Sequence, residues 1–190
     1  DRAKNIRIGR PFDENAEIGP LSSIANMERV LSYADIVRDD GGEILAGGNR
    51  VKGFEDGCYV EPTVAFAKNN RARVCQEELF GPFVTFLTFE TEEEAIALGN
   101  DTRFGLAGYV WTQNLQRAML VADSLRSGYV LINSVMQREK NAPFGGFGHS
   151  GIDREGGQSS LRFYSEGKAT LIACADTEIP KMGLTSQDND

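Results

Sequence analysis

At about 150 residues per domain, a chain of 190 residues is long enough for one domain, and its 41% hydrophobic content lies in the globular range. Lys and Arg number 20 against 28 Asp and Glu. The resulting charge of −8 argues against nucleic acid and anionic membrane as partners, because both are gripped by clustered cations.

The chain opens Asp1-Arg2-Ala3-Lys4, with neither an initiator Met nor a signal-peptide pattern, and is expected to be the inside of something longer. Residues 22–38 predict a helix: Ile24, Met27, Val30, Leu31 and Ala34 recur at three-and-four spacing behind the cap candidates Ser22 and Ser23. Gly41-Gly42 ends it, and short apolar stretches follow at 43–46 and 59–66. Residues 83–89 predict a strand, Thr91 and Glu94 a capping box opening the next helix, 107–112 a strand, 114–125 a helix capped by Asn114, and 129–132 a strand. Strand–helix–strand–helix–strand predicts an α/β fold of parallel βαβ units. Residues 133–157 are Gly-rich and aperiodic, a long loop of the kind that is usually functional. A last strand is predicted at 168–174, ahead of a polar, disordered tail at 175–190. No apolar run approaches the ~18 residues of a membrane span.

The composition also limits the chemistry. A single histidine, His149, excludes multi-histidine metal sites. The cysteines Cys58, Cys75 and Cys174 are odd in number and contain no C-x-x-C pair. No metal centre and no disulfide framework are expected, and a reducing, cytoplasmic setting fits.

Gly146-Phe147-Gly148-His149-Ser150-Gly151 matches G-x-G-x-x-G letter for letter. A dinucleotide fingerprint needs a strand feeding straight into the glycines and a helix opening at the last one. Here the strand ends near Ile132 and Pro143 intervenes, so the glycines are expected to serve turns and close backbone approach.

Gln76-Glu77-Glu78-Leu79-Phe80-Gly81-Pro82, then Asn100-Asp101-Thr102-Arg103-Phe104-Gly105-Leu106-Ala107, then Pro143-Phe144-Gly145-Gly146 with Ser150-Gly151 and Arg154-Glu155 closely resemble, in order and spacing, the NAD(P)-dependent aldehyde dehydrogenase family. Ile18-Gly19-Pro20-Leu21 and Tyr59-Val60-Glu61-Pro62-Thr63 add to the resemblance, which covers roughly residues 2–174. It implies an α/β chain that is the parallel-sheet catalytic-domain portion of such an enzyme over 1–167. It further implies that 168–174 is an oligomerisation strand, and that the subunit forms a homo-oligomer, a dimer or a tetramer. The partners implied are NAD or NADP, a small aldehyde and the rest of the same subunit.

Carried over position by position, the resemblance makes Glu78 the residue that hydrogen-bonds the nicotinamide ribose and Phe80 the aromatic beside the nicotinamide. It makes Asn133 and Phe144 lining residues of the aldehyde tunnel. Arg138 resembles the arginine of muconic-semialdehyde dehydrogenases that meets a substrate carboxylate, with Glu139 next to it as a neutralising alternative. Taken without the resemblance, Glu77 and Glu78 are a solvated pair on a turn, Phe144 a core aromatic, Asn133 a residue satisfying loop backbone and Arg138 a solvated loop arginine. The sequence departs from the family where Gly148 replaces a usual lysine and Asp153 a usual glycine.

The family reaction uses a cysteine thiolate that attacks the aldehyde and a glutamate base that activates water against the thioester. The resemblance places both before the segment represented here. Cys75 lies beside Glu77 and Glu78, which would raise its pKa, and all three cysteines read as small buried hydrophobes. No residue of this chain is therefore expected to be catalytic, and the chain alone is expected to be inactive. The rival readings are a non-catalytic α/β binding or assembly module, and a nucleotide-binding domain built on the 146–151 glycines.

Overall fold

The computed structural model describes residues 1–177 and Met182; most of the tail at 175–190 lies outside the described residues. Helix α1 spans Ile24–Asp39, and its cap is the predicted one, with Ser23 Oγ accepting from the Asn26 amide at 3.2 Å. Its buried residues are Met27, Val30, Tyr33, Ala34 and Val37. Ile24, expected in that face, is 63% exposed at the start of the helix, and Tyr33 and Val37, about two and a half and three and a half turns further on, take core positions.

Strands β1 (Glu43–Ala46), β2 (Thr63–Phe66) and β3 (Phe83–Phe86) form one sheet in that order. β1 runs antiparallel to β2, and β2 parallel to β3, with Thr63 opposite Phe83 and Phe66 opposite Phe86. A single helical turn, α2 (Arg73–Gln76), lies on the connection between β2 and β3. α1 covers this sheet. The core forms where Tyr33 and Val37 meet Ala65, Ala67, Ala72 and Val74, and where Met27 and Val30 meet Val60.

Helix α3 (Glu92–Asn100) opens on Thr91, whose Oγ1 accepts from the Glu94 amide at 3.1 Å, while Glu94 returns a carboxylate oxygen to the Glu90 amide. Strand β4 (Ala107–Val110), helix α4 (Leu115–Ser124) and strand β5 (Tyr129–Ile132) follow as a βαβ unit. β4 and β5 are parallel neighbours, and Asn114 caps α4 by accepting from the Arg117 amide.

The α/β class and the parallel pairs are as expected, but the unbroken parallel series over 83–132 is not. β3 and β4 lie in different sheets, so the strand–helix–strand run through α3 does not close into an adjacent pair. Such a run dictates a crossover connection; it does not dictate that the two strands become neighbours.

Helix α5 (Gly157–Phe163) was not foreseen, since it starts on Gly156 without a side-chain cap. Residues 168–174 pair with no strand among the described residues and are exposed. No helix among the described residues is long and apolar enough to cross a membrane.

Candidate functional site

The predicted cofactor residues lie just after α2. Glu77 is extended, at φ −117° and ψ 144°, and extended backbone sends successive side chains to opposite sides. The exposures alternate accordingly: Glu77 half-buried, Glu78 exposed, Leu79 half-buried, Phe80 exposed.

Glu77 faces α1. Its carboxylate accepts from the Tyr33 hydroxyl and from Arg73, at 3.0 Å from Nε and 3.4 Å from Nη2, and Arg29 Nη2 lies 3.9 Å away. The Arg73 hydrogen bond, followed by that of Tyr33, brings the carboxyl down from 4.5 to about 2. Arg73 and Arg29 also flank the Tyr33 ring, at 5.5 and 5.8 Å from its centroid. Leu79 packs on the core beneath.

Glu78 and Phe80 are the exposed members of the segment. Glu78 has no ion-pair partner among the described residues, so its two oxygens are available to a vicinal diol. Phe80 is 75% exposed at φ 54°, a left-handed conformation that is costly for an aromatic residue and is held by its surroundings. An open cavity of about 430 Å³ lies against Glu77, Leu79, Phe80, Gly81 and Val84, and Glu78 does not border it. A free carboxylate and an exposed ring two residues apart suit the ribose and nicotinamide ends of a dinucleotide.

The predicted substrate residues gather elsewhere, beyond β5. Phe144 exchanges both backbone hydrogen bonds with Glu155 at 2.8 Å, and its ring meets Tyr129 edge-on with centroids 5.7 Å apart. The Arg138 guanidinium lies over the Phe144 ring at 5.0 Å and pairs with Glu155. The neutralising carboxylate is thus Glu155, because Glu139 is turned to the Asn141 amide at 3.1 Å. Arg138 also borders a cavity of about 480 Å³ along β5.

Asn133, at φ 51°, is engaged differently. Its Oδ1 accepts from the Thr112 amide at 2.9 Å and its Nδ2 donates to the Thr112 carbonyl at 2.7 Å, extending the β4–β5 ladder by one side chain. The structure therefore brings Arg138 and Phe144 into contact with each other, and leaves Glu78 and Phe80 both exposed two residues apart on one segment. Phe80 and Asn133 are two of the three non-glycine residues with positive φ among the described residues.

The 146–151 glycines lead into one short 3-10 turn, Gly148–Ser150, rather than a helix. Their backbone is laid on the 103–105 turn: Phe147 N donates to Gly105 O, His149 N to Arg103 O, and Ser150 Oγ accepts from Gly105 N. Gly148 sits at φ 57°, where a Cβ would lie 2.4 Å from the Arg103 carbonyl oxygen, so glycine is required in this arrangement.

The cysteines need correction. Cys58 and Cys75 are half-buried and Cys174 is exposed, so only the first two are packed as hydrophobes. Burial, then the charge of Asp40, pushes the Cys75 thiol up; the acidic neighbour that matters is Asp40, because Glu77 faces Tyr33 and Glu78 faces outward.

Sequence reasoning missed Tyr33, Arg29, Arg73 and Asn26, whose Nδ2 donates to the Phe80 carbonyl at 3.0 Å. The Arg73–Glu77 spacing of four was a visible signal. Tyr33 and Glu77 are 44 residues apart, and nothing local links them.

Residues 1–170 match the aldehyde dehydrogenase family. The chain is 44% identical over 170 residues to a 2-aminomuconic 6-semialdehyde dehydrogenase of a Pseudomonas species, covering 87% of this chain and 34% of that protein. It is 41% identical over 182 residues to the betaine aldehyde dehydrogenase of Mesorhizobium japonicum, covering 95% of this chain and 37% of that one. The solved structure of betaine aldehyde dehydrogenase from Staphylococcus aureus in complex with NAD+ matches with a TM-score of 0.83 at 42% identity, over 86% of this chain and 33% of the other. The chain spans about a third of the length of the curated relatives it matches.

Proposed function

The chain belongs to the aldehyde dehydrogenase family, and on that premise we propose that it is the part of an NAD(P)-dependent oxidoreductase that presents one side of the cofactor site and one wall of the aldehyde site. The whole enzyme converts an aldehyde and water to a carboxylic acid, with NAD(P)+ supplying the hydride acceptor when bound. The observation that carries this reading is the alternation of exposure over 77–80, which leaves Glu78 without an ion-pair partner among the described residues and Phe80 exposed two residues on. Glu78 accepts from the ribose hydroxyls and thereby fixes the nicotinamide end; Phe80 covers it.

The nucleophilic cysteine lies, in this reading, on polypeptide outside these residues, and the chain alone does not turn over aldehydes. The raised Cys75 thiol supports that assignment, since a nucleophile needs a lowered pKa. The substrate is an aldehyde that also bears a carboxylate. Arg138 offers a planar fork of which one arm is engaged by Glu155, and the remaining N–H groups suit a second carboxylate, with Phe144 as the apolar wall and Asn133 holding the strand end. The semialdehyde dehydrogenase from Pseudomonas among the relatives supports the same class.

Replacing Glu78 by Gln in the complete subunit removes the charge from the ribose contact and is expected to weaken NAD+ binding about tenfold with the fold intact. Steady-state kinetics and a far-UV spectrum check it, and unchanged cofactor kinetics would sink the ribose role.

Residues 168–174 include the exposed Leu171 and Ile172, and in this reading they add a strand to a second copy of the subunit. Light scattering on the complete subunit tests this: a dimer or tetramer that Ile172→Lys dissociates supports it, and a monomer refutes it.

A further inference from the structure

The outward side of the 77–80 segment is set from its inward side, and the inward side is held by one stripe of α1. Asn26, Val30, Tyr33, Val37 and Asp40 recur at four and three residues, which is one line along a helix of 3.6 residues per turn. Each member at the ends and centre of that line touches the stretch 73–81. Asp40 accepts from the Arg73 amide at 3.3 Å, at the start of α2. Tyr33 donates to Glu77. Asn26 donates to the Phe80 carbonyl at 3.0 Å. Val30 lies so close to Gly81 that a Cβ there would come within 2.8 Å of its Cγ2.

Tyr33 is only 2% exposed, so its hydroxyl has no water to fall back on, and Glu77 is its acceptor. Arg73 and Arg29 then balance the Glu77 charge, which leaves the carboxylate fully ionised and fixed in place. With Glu77 locked and the backbone extended, Glu78 has to face the other way. At the far end, the Asn26 bond fixes the Phe80 carbonyl and with it the peptide that joins Phe80 to Gly81. Asn26, Tyr33 and the two arginines do not border the cavity beside Phe80, and Glu77, which does, has its carboxylate engaged by Tyr33 and Arg73.

We propose that Glu77, Tyr33 and Asn26 are positioning residues that hold Glu78 and Phe80 in register for the nicotinamide end of the cofactor, acting through the backbone of 77–80 and not by contact. This rests on the assignment of Glu78 and Phe80 to the cofactor.

The test uses the complete subunit, with NADH as the probe, measured by its fluorescence without aldehyde. Glu77→Ala and Asn26→Ala each weaken NADH binding about tenfold, the equivalent of one hydrogen bond. Glu77→Gln, which keeps an acceptor for Tyr33, recovers part of the loss. Amide hydrogen exchange at 78–81 speeds up in both alanine variants, which a purely structural role elsewhere would not produce. In a background of Glu78→Gln with Phe80→Ala, adding Glu77→Ala changes NADH affinity no further.

Native affinity in both alanine variants overturns the proposal, as does an equal added loss in the two backgrounds. Native affinity in the Glu78→Gln, Phe80→Ala background overturns the cofactor assignment instead, and exchange at 78–81 still decides whether the α1 stripe orders the segment. Asn26 is at the edge of the core, so its variant keeps the test open if Glu77→Ala does not fold.

Discussion

Glu77 meets its partners against a packed helix, whereas Arg138 meets Glu155 in solvent. The first group is anchored on Tyr33, which is 2% exposed and packed against Val37 and Ala65. The second is an ion pair with both side chains more than half exposed, at 61% and 63%, resting on the Phe144 ring. The same contrast runs through the two halves of the fold. Both core clusters lie on α1 and its sheet, while β4 and α4 leave Tyr109, Trp111, Leu115 and Met119 exposed. Under the proposed roles the difference has a physical sense: a cofactor of constant shape suits a preorganised segment, and a side chain that meets variable substrates suits a surface held by weak, adjustable contacts.

The largest expected effect comes from removing the anchor. Tyr33→Ala empties a core position and leaves Glu77 without its buried donor, and is expected to cost about 3–5 kcal/mol in urea unfolding. A loss below about 1 kcal/mol would show that the α1 side is no more tightly built than the loop.

A middle-sized effect concerns the Glu77 carboxylate and pH. The Glu77 carboxyl titrates at about 2 in the folded chain against an ordinary 4.5, so its pKa is depressed by folding. Its stabilisation is complete above the unfolded value and disappears as pH falls from about 4.5 through about 2. The stability advantage of the wild type over Glu77→Gln should therefore shrink across that interval in thermal melts. An advantage that stays constant down to about pH 2 would contradict the assignment.

The smallest effect on stability belongs to the loop. Arg138→Ala is expected to change unfolding by less than about 0.5 kcal/mol, as for exposed ion pairs generally. It should nevertheless lower kcat/KM of the complete subunit for carboxylated aldehydes while sparing neutral ones. An equal loss on both classes would remove Arg138 from substrate selection.

The elements were legible where their signals are local. Ser23, Thr91 and Asn114 each cap the helix they precede, because a cap is settled by one side chain and an amide three residues on. The β4–α4–β5 unit was legible for a similar reason: a short strand, a helix and a second strand with brief connections fold back on themselves. The aperiodic 133–157 stretch announced a loop by its glycines. α5 gave no such signal, since glycine at its start supplies no side-chain cap.

Of the candidate site, Glu78 and Phe80 were recognisable as residues, but not the contacts of the residue before them. Glu77 pairs with Tyr33 across 44 residues of chain. Likewise the partner of Arg138 turned out to be Glu155, 17 residues away, and not its neighbour Glu139. Spacing within a few residues determines caps, turns and the alternation of a strand, because those depend on local backbone geometry and neighbouring side chains. Which carboxylate faces a buried tyrosine, and whether β3 and β4 become neighbours, depends on which segments meet when the core closes, and no local pattern encodes that meeting.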